Sequence, residues 1–154
     1  MKLFYYHTAI GRIGIVEKNE KISNLYFATD LPPQGARLFE TPLLKSAAKQ
    51  LHAYLEGSLK EFSLPLAPEG TDFMQRIWKA LGKIPYGETV SYKDLAIAAG
   101  SPKAARAAGM ANNRNPLPIL IPCHRVIGAN GKLVGYRGGL ALKQKLLKIE
   151  GLNF

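Results

Sequence analysis

Cysteine is almost absent from this chain: Cys123 is the only one among 154 residues. A single thiol cannot form an intramolecular disulfide, and it is too few for a cysteine-based zinc site. Long apolar runs are missing too, since none approaches the ~20 residues that cross a bilayer. The N-terminal residues Met1-Lys2-Leu3-Phe4-Tyr5-Tyr6-His7 lack the apolar core and small-residue cleavage site of a signal peptide. These absences predict a protein of the reducing cytoplasm, or of the nucleus if the source is eukaryotic, with no membrane partner. Acidic residues are scarce as well. Lys+Arg number 21 against 11 Asp+Glu, a net charge of +10. Such a balance points to a polyanionic partner, with nucleic acid ahead of a membrane surface. Charge alone also fits an ordinary cationic surface, so a motif must decide.

What is present reads as α+β in two domains. Gly11-Arg12-Ile13-Gly14-Ile15-Val16 and Lys21 to Phe27 flank the polar turn Lys18-Asn19-Glu20, as in a hairpin. The loop Leu31-Pro32-Pro33-Gln34-Gly35 should end this sheet. Thr41-Pro42 then opens a helix carrying Leu44, Ala47, Ala48, Leu51 and Leu55 at helical spacing, with Gly57 stopping it. The proline-rich stretch from Phe62 to Gly70 is the expected linker, which gives domains of 1–70 and 71–154. Asp72 with Gln75 resembles a capping box for a helix through Trp78 and Leu81.

Ser91 should cap a helix through Tyr92, Leu95 and Ala98 that ends at Gly100. Ser101 should cap another, with Pro102 at its first position and its body running to about Met110. Two short helices joined across one glycine form a helix-turn-helix pattern. The second helix is slim, with Ala104, Ala105, Ala107, Ala108 and Gly109. Lys103 and Arg106 lie three apart, hence on one face. That face is either merely solvated or a DNA-binding surface. In the second case Arg106, a long planar cation, could enter a groove or take the place of a base.

Cys123 is either a buried inert sulfur or a nucleophile. His124 is adjacent, but on an extended strand neighbouring side chains point to opposite faces. Direct pairing would need a turn at Cys123 or a bridging water. Asn130-Gly131 predicts a hairpin pairing Val126-Ile127 with Leu133-Val134. The glycine-rich loop Gly135-Tyr136-Arg137-Gly138-Gly139 could offer backbone groups to a flat ligand. The last helix, Gly139 to about Ile149, should pack Leu142, Leu146 and Ile149, and ends at Glu150-Gly151. Glu150 would matter to the chemistry only if the fold brings it to His124.

The segment Asn115-Pro116-Leu117-Pro118-Ile119-Leu120-Ile121-Pro122-Cys123-His124-Arg125-Val126 resembles the active-site signature of O6-alkylguanine-DNA alkyltransferases. The likeness extends through Val90-Ser91-Tyr92, Pro102-Lys103-Ala104-Ala105-Arg106, Gly135-Tyr136, Gly138-Gly139-Leu140 and Glu150-Gly151, and is close over residues 72 to 151. It implies a small RNase H-like N-terminal antiparallel-sheet domain with a helix. A mainly helical, winged helix-turn-helix-like domain would follow, carrying the DNA-binding surface and active site. The implied function is single-use transfer of an alkyl group from O6-alkylguanine, and less well O4-alkylthymine, to the protein's own cysteine after base flipping.

Roles follow from the resemblance position by position. Cys123 would accept the alkyl group, His124 would polarise it through a water, Glu150 would orient His124, and Asn115 would brace the turn before the cysteine. Tyr92 would hydrogen-bond the departing guanine and crowd the phosphate. Arg106 would fill the vacated stack, with Lys103, Ser101 and Ala105 beside it on DNA. Backbone groups at Cys123 and Val126 would read the guanine edge. Gly135, Tyr136, Arg137 and Gly138 would wall the pocket. Arg137 stands where some relatives have a small hydroxyl residue. The zinc site of some relatives cannot form here, so no metal and no cofactor are expected. Relatives with tryptophan in place of the nucleophile bind damage without repairing it, and Cys123 argues against that class. The expected partner is double-stranded DNA carrying O6-alkylguanine, bound by a monomer. Two readings compete: a cysteine hydrolase or acyltransferase, and a helix-turn-helix regulator with a structural cysteine.

Overall fold

Leu3, Ile13, Ile15, Val16, Ile22 and Leu25 supply the buried apolar side chains of the sheet in the first unit. The computed structural model describes residues 1–154, which form two units, Met1–Glu69 and Gly70–Phe154. In the first, β1 (Lys2–Thr8), β2 (Gly11–Lys18) and β3 (Lys21–Tyr26) form an antiparallel meander. Asn19 and Glu20, at φ 53° and 64°, make the two-residue turn between β2 and β3. Positive φ at both positions gives a turn whose twist matches that of the strands. The short edge strand β4 (Arg37–Leu38) then pairs parallel to β1, giving the order β3-β2-β1-β4. The loop at 31–35 therefore does not end the sheet. β1, which sequence patterning did not single out, is a central strand, because its aromatics on both faces blur the two-residue alternation.

Helix α1 (Pro42–Leu55) covers this sheet, burying Leu44, Ala47, Ala48, Leu51 and Tyr54. The Thr41 hydroxyl accepts from Leu44 N at 3.0 Å and donates to Glu17 Oε1 at 2.6 Å, so one side chain caps the helix and ties it to β2.

The second unit is mainly helical: α2 (Asp72–Leu81), β5 (Val90–Ser91), α3 (Tyr92–Ala98), α4 (Ala105–Asn113), β6 (Val126–Ile127) and α5 (Leu140–Ile149). Thr71, not Asp72, caps α2 by accepting from Met74 N. Asp72 instead occupies the first turn, where its charge suits the helix dipole. Ser91 and Asp94 form a reciprocal capping box on α3, and Gly100, at φ 81°, follows its end. Trp78 fills the core between helices, its Nε1 donating to Ala111 O at 2.9 Å.

Two further expectations fail here. Ser101 does not cap α4: it closes a turn with Ala104, and the helix starts at Ala105. Lys103 therefore lies in that turn and shares no helix face with Arg106. The predicted hairpin after the cysteine is also replaced. Val126-Ile127 pairs in parallel with Val90-Ser91, while the Asn130-Gly131 turn is closed locally, by Gly128 N donating to Lys132 O, Gly131 N to Gly128 O and Lys132 N to Asn130 Oδ1. The carbonyl of Val134 is occupied by side chains instead of a strand partner.

Candidate active site

The path into Cys123 is a buried, strained turn. Ile119 adopts φ 75°, a left-handed conformation that costs a β-branched residue about 1–3 kcal/mol. Asn115 holds the turn closed: its Nδ2 donates to Ile121 O at 2.8 Å and its Oδ1 accepts from Leu117 N at 2.9 Å. Cys123 then begins a single tight helical turn, Cys123–Arg125. The chain is not extended here, so the objection that neighbouring side chains oppose each other falls away.

His124 and Glu150 meet in the interior. His124 Nε2 lies 2.7 Å from Glu150 Oε2, and neither side chain is exposed. Arg125 holds the same carboxylate at two points, Nε to Oε1 at 2.8 Å and Nη2 to Oε2 at 3.1 Å, and donates through Nη1 to Ile84 O. Gly87 N adds a further bond to Oε1 at 2.9 Å. Gly87 sits at φ 78°, and a Cβ there would come within 3.3 Å of the Glu150 carbonyl, so the close approach suits glycine. Burial alone would raise the Glu150 pKa. The bonds from His124, Arg125 and Gly87 win and hold it at about 2. Burial pushes the His124 pKa down, against the pull of Glu150. An ionised carboxylate only accepts hydrogen bonds, so Nε2 of the neutral imidazole carries the proton and Nδ1 keeps the lone pair. Such a ring is built to receive a proton.

A second cluster forms the wall beside the thiol. Tyr92, half-buried at the start of α3, donates its hydroxyl to Val134 O at 3.1 Å. Its ring rests against Gly109 of α4, where an added Cβ would lie 3.4 Å away. Lys143, fully buried, donates to Val126 O at 2.6 Å, Val134 O at 3.0 Å and Gly135 O at 3.3 Å. Desolvation lowers its pKa to about 8 even though the nearby Cys123 pulls it upward. Arg137, exposed in the glycine-rich loop, reaches back to Asn115 O at 3.2 Å. Burial pushes the Cys123 thiol up, while Asn115, Arg137 and Lys143 draw it down. Burial and the Cys123 charge both raise Tyr92.

The fold thus buries Cys123, His124, Asn115, Glu150 and Val126, with Tyr92 half-buried and Gly135 and Arg137 exposed at the edge of that cluster. Tyr136 and Gly138 lie half-buried in the adjoining loop. Ser101 and Ala105 are half-exposed and Lys103 and Arg106 exposed, at and before the start of α4. Sequence reasoning missed Arg125 and Lys143. Arg125 belongs to the quoted signature, but nothing in its spacing reveals the carboxylate it holds. Lys143 was hidden because α5 buries Lys143, Leu146 and Leu147, a face rotated from the expected Leu142, Leu146 and Ile149.

Comparison with known proteins agrees with this geometry. Residues 72–152 match the family model described as 6-O-methylguanine DNA methyltransferase, DNA binding domain, and residues 1–68 match its ribonuclease-like domain. The chain is 60% identical over 152 residues to a methylated-DNA–protein-cysteine methyltransferase of Methanosarcina barkeri, covering 94% of this chain and 93% of that one. It is 46% identical over 160 residues to the constitutive enzyme of that name from Bacillus subtilis, covering 97% of each. Among solved structures, Mycobacterium tuberculosis OGT in complex with DNA superimposes with a TM-score of 0.92 at 43% identity, over 97% of this chain and 92% of that one. With both halves matched and the buried Cys-His-Glu cluster in place, the chain belongs to the 6-O-methylguanine DNA methyltransferase family.

Proposed function

We propose that the protein reverses DNA alkylation directly, carrying the alkyl group of O6-alkylguanine away on Cys123. The observation that carries this reading is the buried thiol beside a neutral His124 whose Nε2 is held by an ionised Glu150. The alkyl carbon on O6 is saturated, so its displacement calls for a soft nucleophile in line with the breaking C–O bond. The Cys123 proton passes to His124 Nδ1, directly or through a water. An S–C bond then forms as the C–O bond breaks, and the electron pair leaves with guanine. Guanine takes up one proton at N1, through water or the Tyr92 hydroxyl. It is balanced by the one that His124 received from Cys123 and now releases, so His124 returns to neutral. The product is a thioether, which no neighbouring group is equipped to cleave. Each molecule therefore acts once.

The lesion lies inside a duplex, so the nucleotide must rotate out at a cost of a few kcal/mol. Arg106, exposed on the first turn of α4, fills the gap, while Lys103 holds phosphate. Affinity should fall steeply with salt, as phosphate contacts release counterions. Arg106→Ala should slow repair of duplex DNA about tenfold or more, the loss of one stacking contact, with little change toward free O6-benzylguanine. Equal slowing of both reactions would contradict the stack-filling role.

The deciding experiment mixes the protein with duplex DNA carrying radiolabelled O6-methylguanine. Label should move to protein up to one equivalent and then stop. Continued turnover, as a hydrolase would show, or no transfer, as a DNA-binding regulator would show, overturns the proposal.

A further inference from the structure

The exposed side of helix α4 carries two long side chains, Arg106 and Met110, and only one of them is apolar. Its buried side carries Ala108, Ala111 and Asn112, and its exposed stripe is Arg106, Ala107, Met110 and Asn113. Met110 is the only bulky apolar residue in that stripe, with 53% of its surface exposed. A lone exposed apolar residue is ordinary. What sets Met110 apart is its place.

It lies four residues after Arg106, on the same face and about 6 Å further along the axis. Helical side chains lean toward the N-terminus, so the thioether covers the turn from which Arg106 projects. The preceding residue, Gly109, is the one on which the Tyr92 ring rests. Met110 thus stands on the exposed stripe that carries Arg106, the residue assigned to fill the gap, and directly follows the glycine against which Tyr92 rests.

We propose that Met110 is a second DNA-inserting residue, packing its thioether against the base face bared when the damaged nucleotide leaves the stack. This inference rests on the repair reading above. The chemistry fits that task. An unbranched, polarisable side chain adapts to irregular gaps and makes favourable contacts with flat rings. Proteins that open duplex DNA commonly insert apolar side chains between base steps. Arg106 supplies a planar cation to the gap, and Met110 supplies the apolar contact that a guanidinium cannot. The role is one of positioning, because Met110 reaches no reacting atom.

The test compares Met110→Ala and Met110→Leu with the parent protein. Three readouts are taken: repair of duplex O6-methylguanine, reaction with free O6-benzylguanine, and fluorescence of 2-aminopurine placed next to the lesion. Met110→Ala should slow duplex repair roughly two- to tenfold, the range of a thioether–ring contact, while leaving the free-base reaction within about twofold. The parent protein should change the 2-aminopurine signal on binding, and that change should shrink in Met110→Ala. Met110→Leu, which restores apolar bulk, should recover most of both. Duplex repair by Met110→Ala at the parental rate, or equal slowing on duplex and free base, overturns the inference. If the parent itself fails to react with either substrate, it is the repair reading that falls.

Discussion

Cys123→Ser should take up no label from alkylated DNA while still folding and binding duplex. A hydroxyl is a far weaker nucleophile than a thiol and is scarcely ionised near neutral pH, and His124 cannot make up that difference at a saturated carbon. The substitution exchanges one sulfur for oxygen at a site only 5% exposed, so the main structural cost is a buried hydroxyl, on the order of 1–3 kcal/mol if it gains no partner. Asn115 and the backbone around the turn are already bonded to one another and should hold the site. Circular dichroism and a salt titration of DNA binding should therefore resemble the parent. Residual label on the serine protein would show that another group accepts the alkyl. Loss of folding can be separated from loss of chemistry by Cys123→Ala, which removes the polar atom altogether.

Glu150→Gln should be the more damaging change to the fold. The carboxylate receives His124, two nitrogens of Arg125 and the Gly87 amide at once. A glutamine has one accepting oxygen, and its NH₂ would face donors. The Arg125 side chain, 9% exposed, would lose its counter-charge. Breaking a buried pair from one side costs about 3–5 kcal/mol. For a chain of this size that lowers Tm by roughly 10 °C. Label transfer should slow about a hundredfold, because His124 loses the partner that fixes its proton on Nε2. The acid limb of stability should change as well. The folded pKa of Glu150 lies near 2, below its ordinary 4.5, so its contribution is complete above pH 4.5 and disappears as pH falls toward 2. Glu150→Gln should lack that slope. A variant with the parental Tm and acid profile would show that the carboxylate is incidental.

Much of this site is legible in the sequence, and the reasons are local. Thr41-Pro42 and Ser91 announce helices because capping is short-range chemistry. Asn19-Glu20 sits where two apolar runs must reverse. By contrast, Ser101-Pro102 carries the same local signature as a cap yet closes only a turn, in which Ser101 O accepts from Ala104 N and α4 begins at the next residue. The hairpin expected around Asn130-Gly131 fails for a tertiary reason. Tyr92, 42 residues earlier, and Lys143, nine residues later on α5, take the Val134 carbonyl that a strand partner would have used. Lys143 itself is invisible in the sequence because a lysine among the buried positions of α5 makes sense only once the three carbonyls it binds are in view. The cysteine signature leads to the chemistry, but the reason for the arginine beside it, which holds the carboxylate, is apparent only in the folded chain.

The pairing of Val90-Ser91 with Val126-Ile127 is only two residues long on each side. It nonetheless works as a ruler. Tyr92 follows immediately after one strand, and Cys123 lies three residues before the other. A one-residue slip would displace phenol and sulfur by about 3.3 Å and turn the side chains to the other face. Insertions should therefore be accepted in the exposed turn at 129–132, which lies outside the paired residues. A single added residue in 88–92 or 123–127 should silence the protein while leaving most of its helices intact.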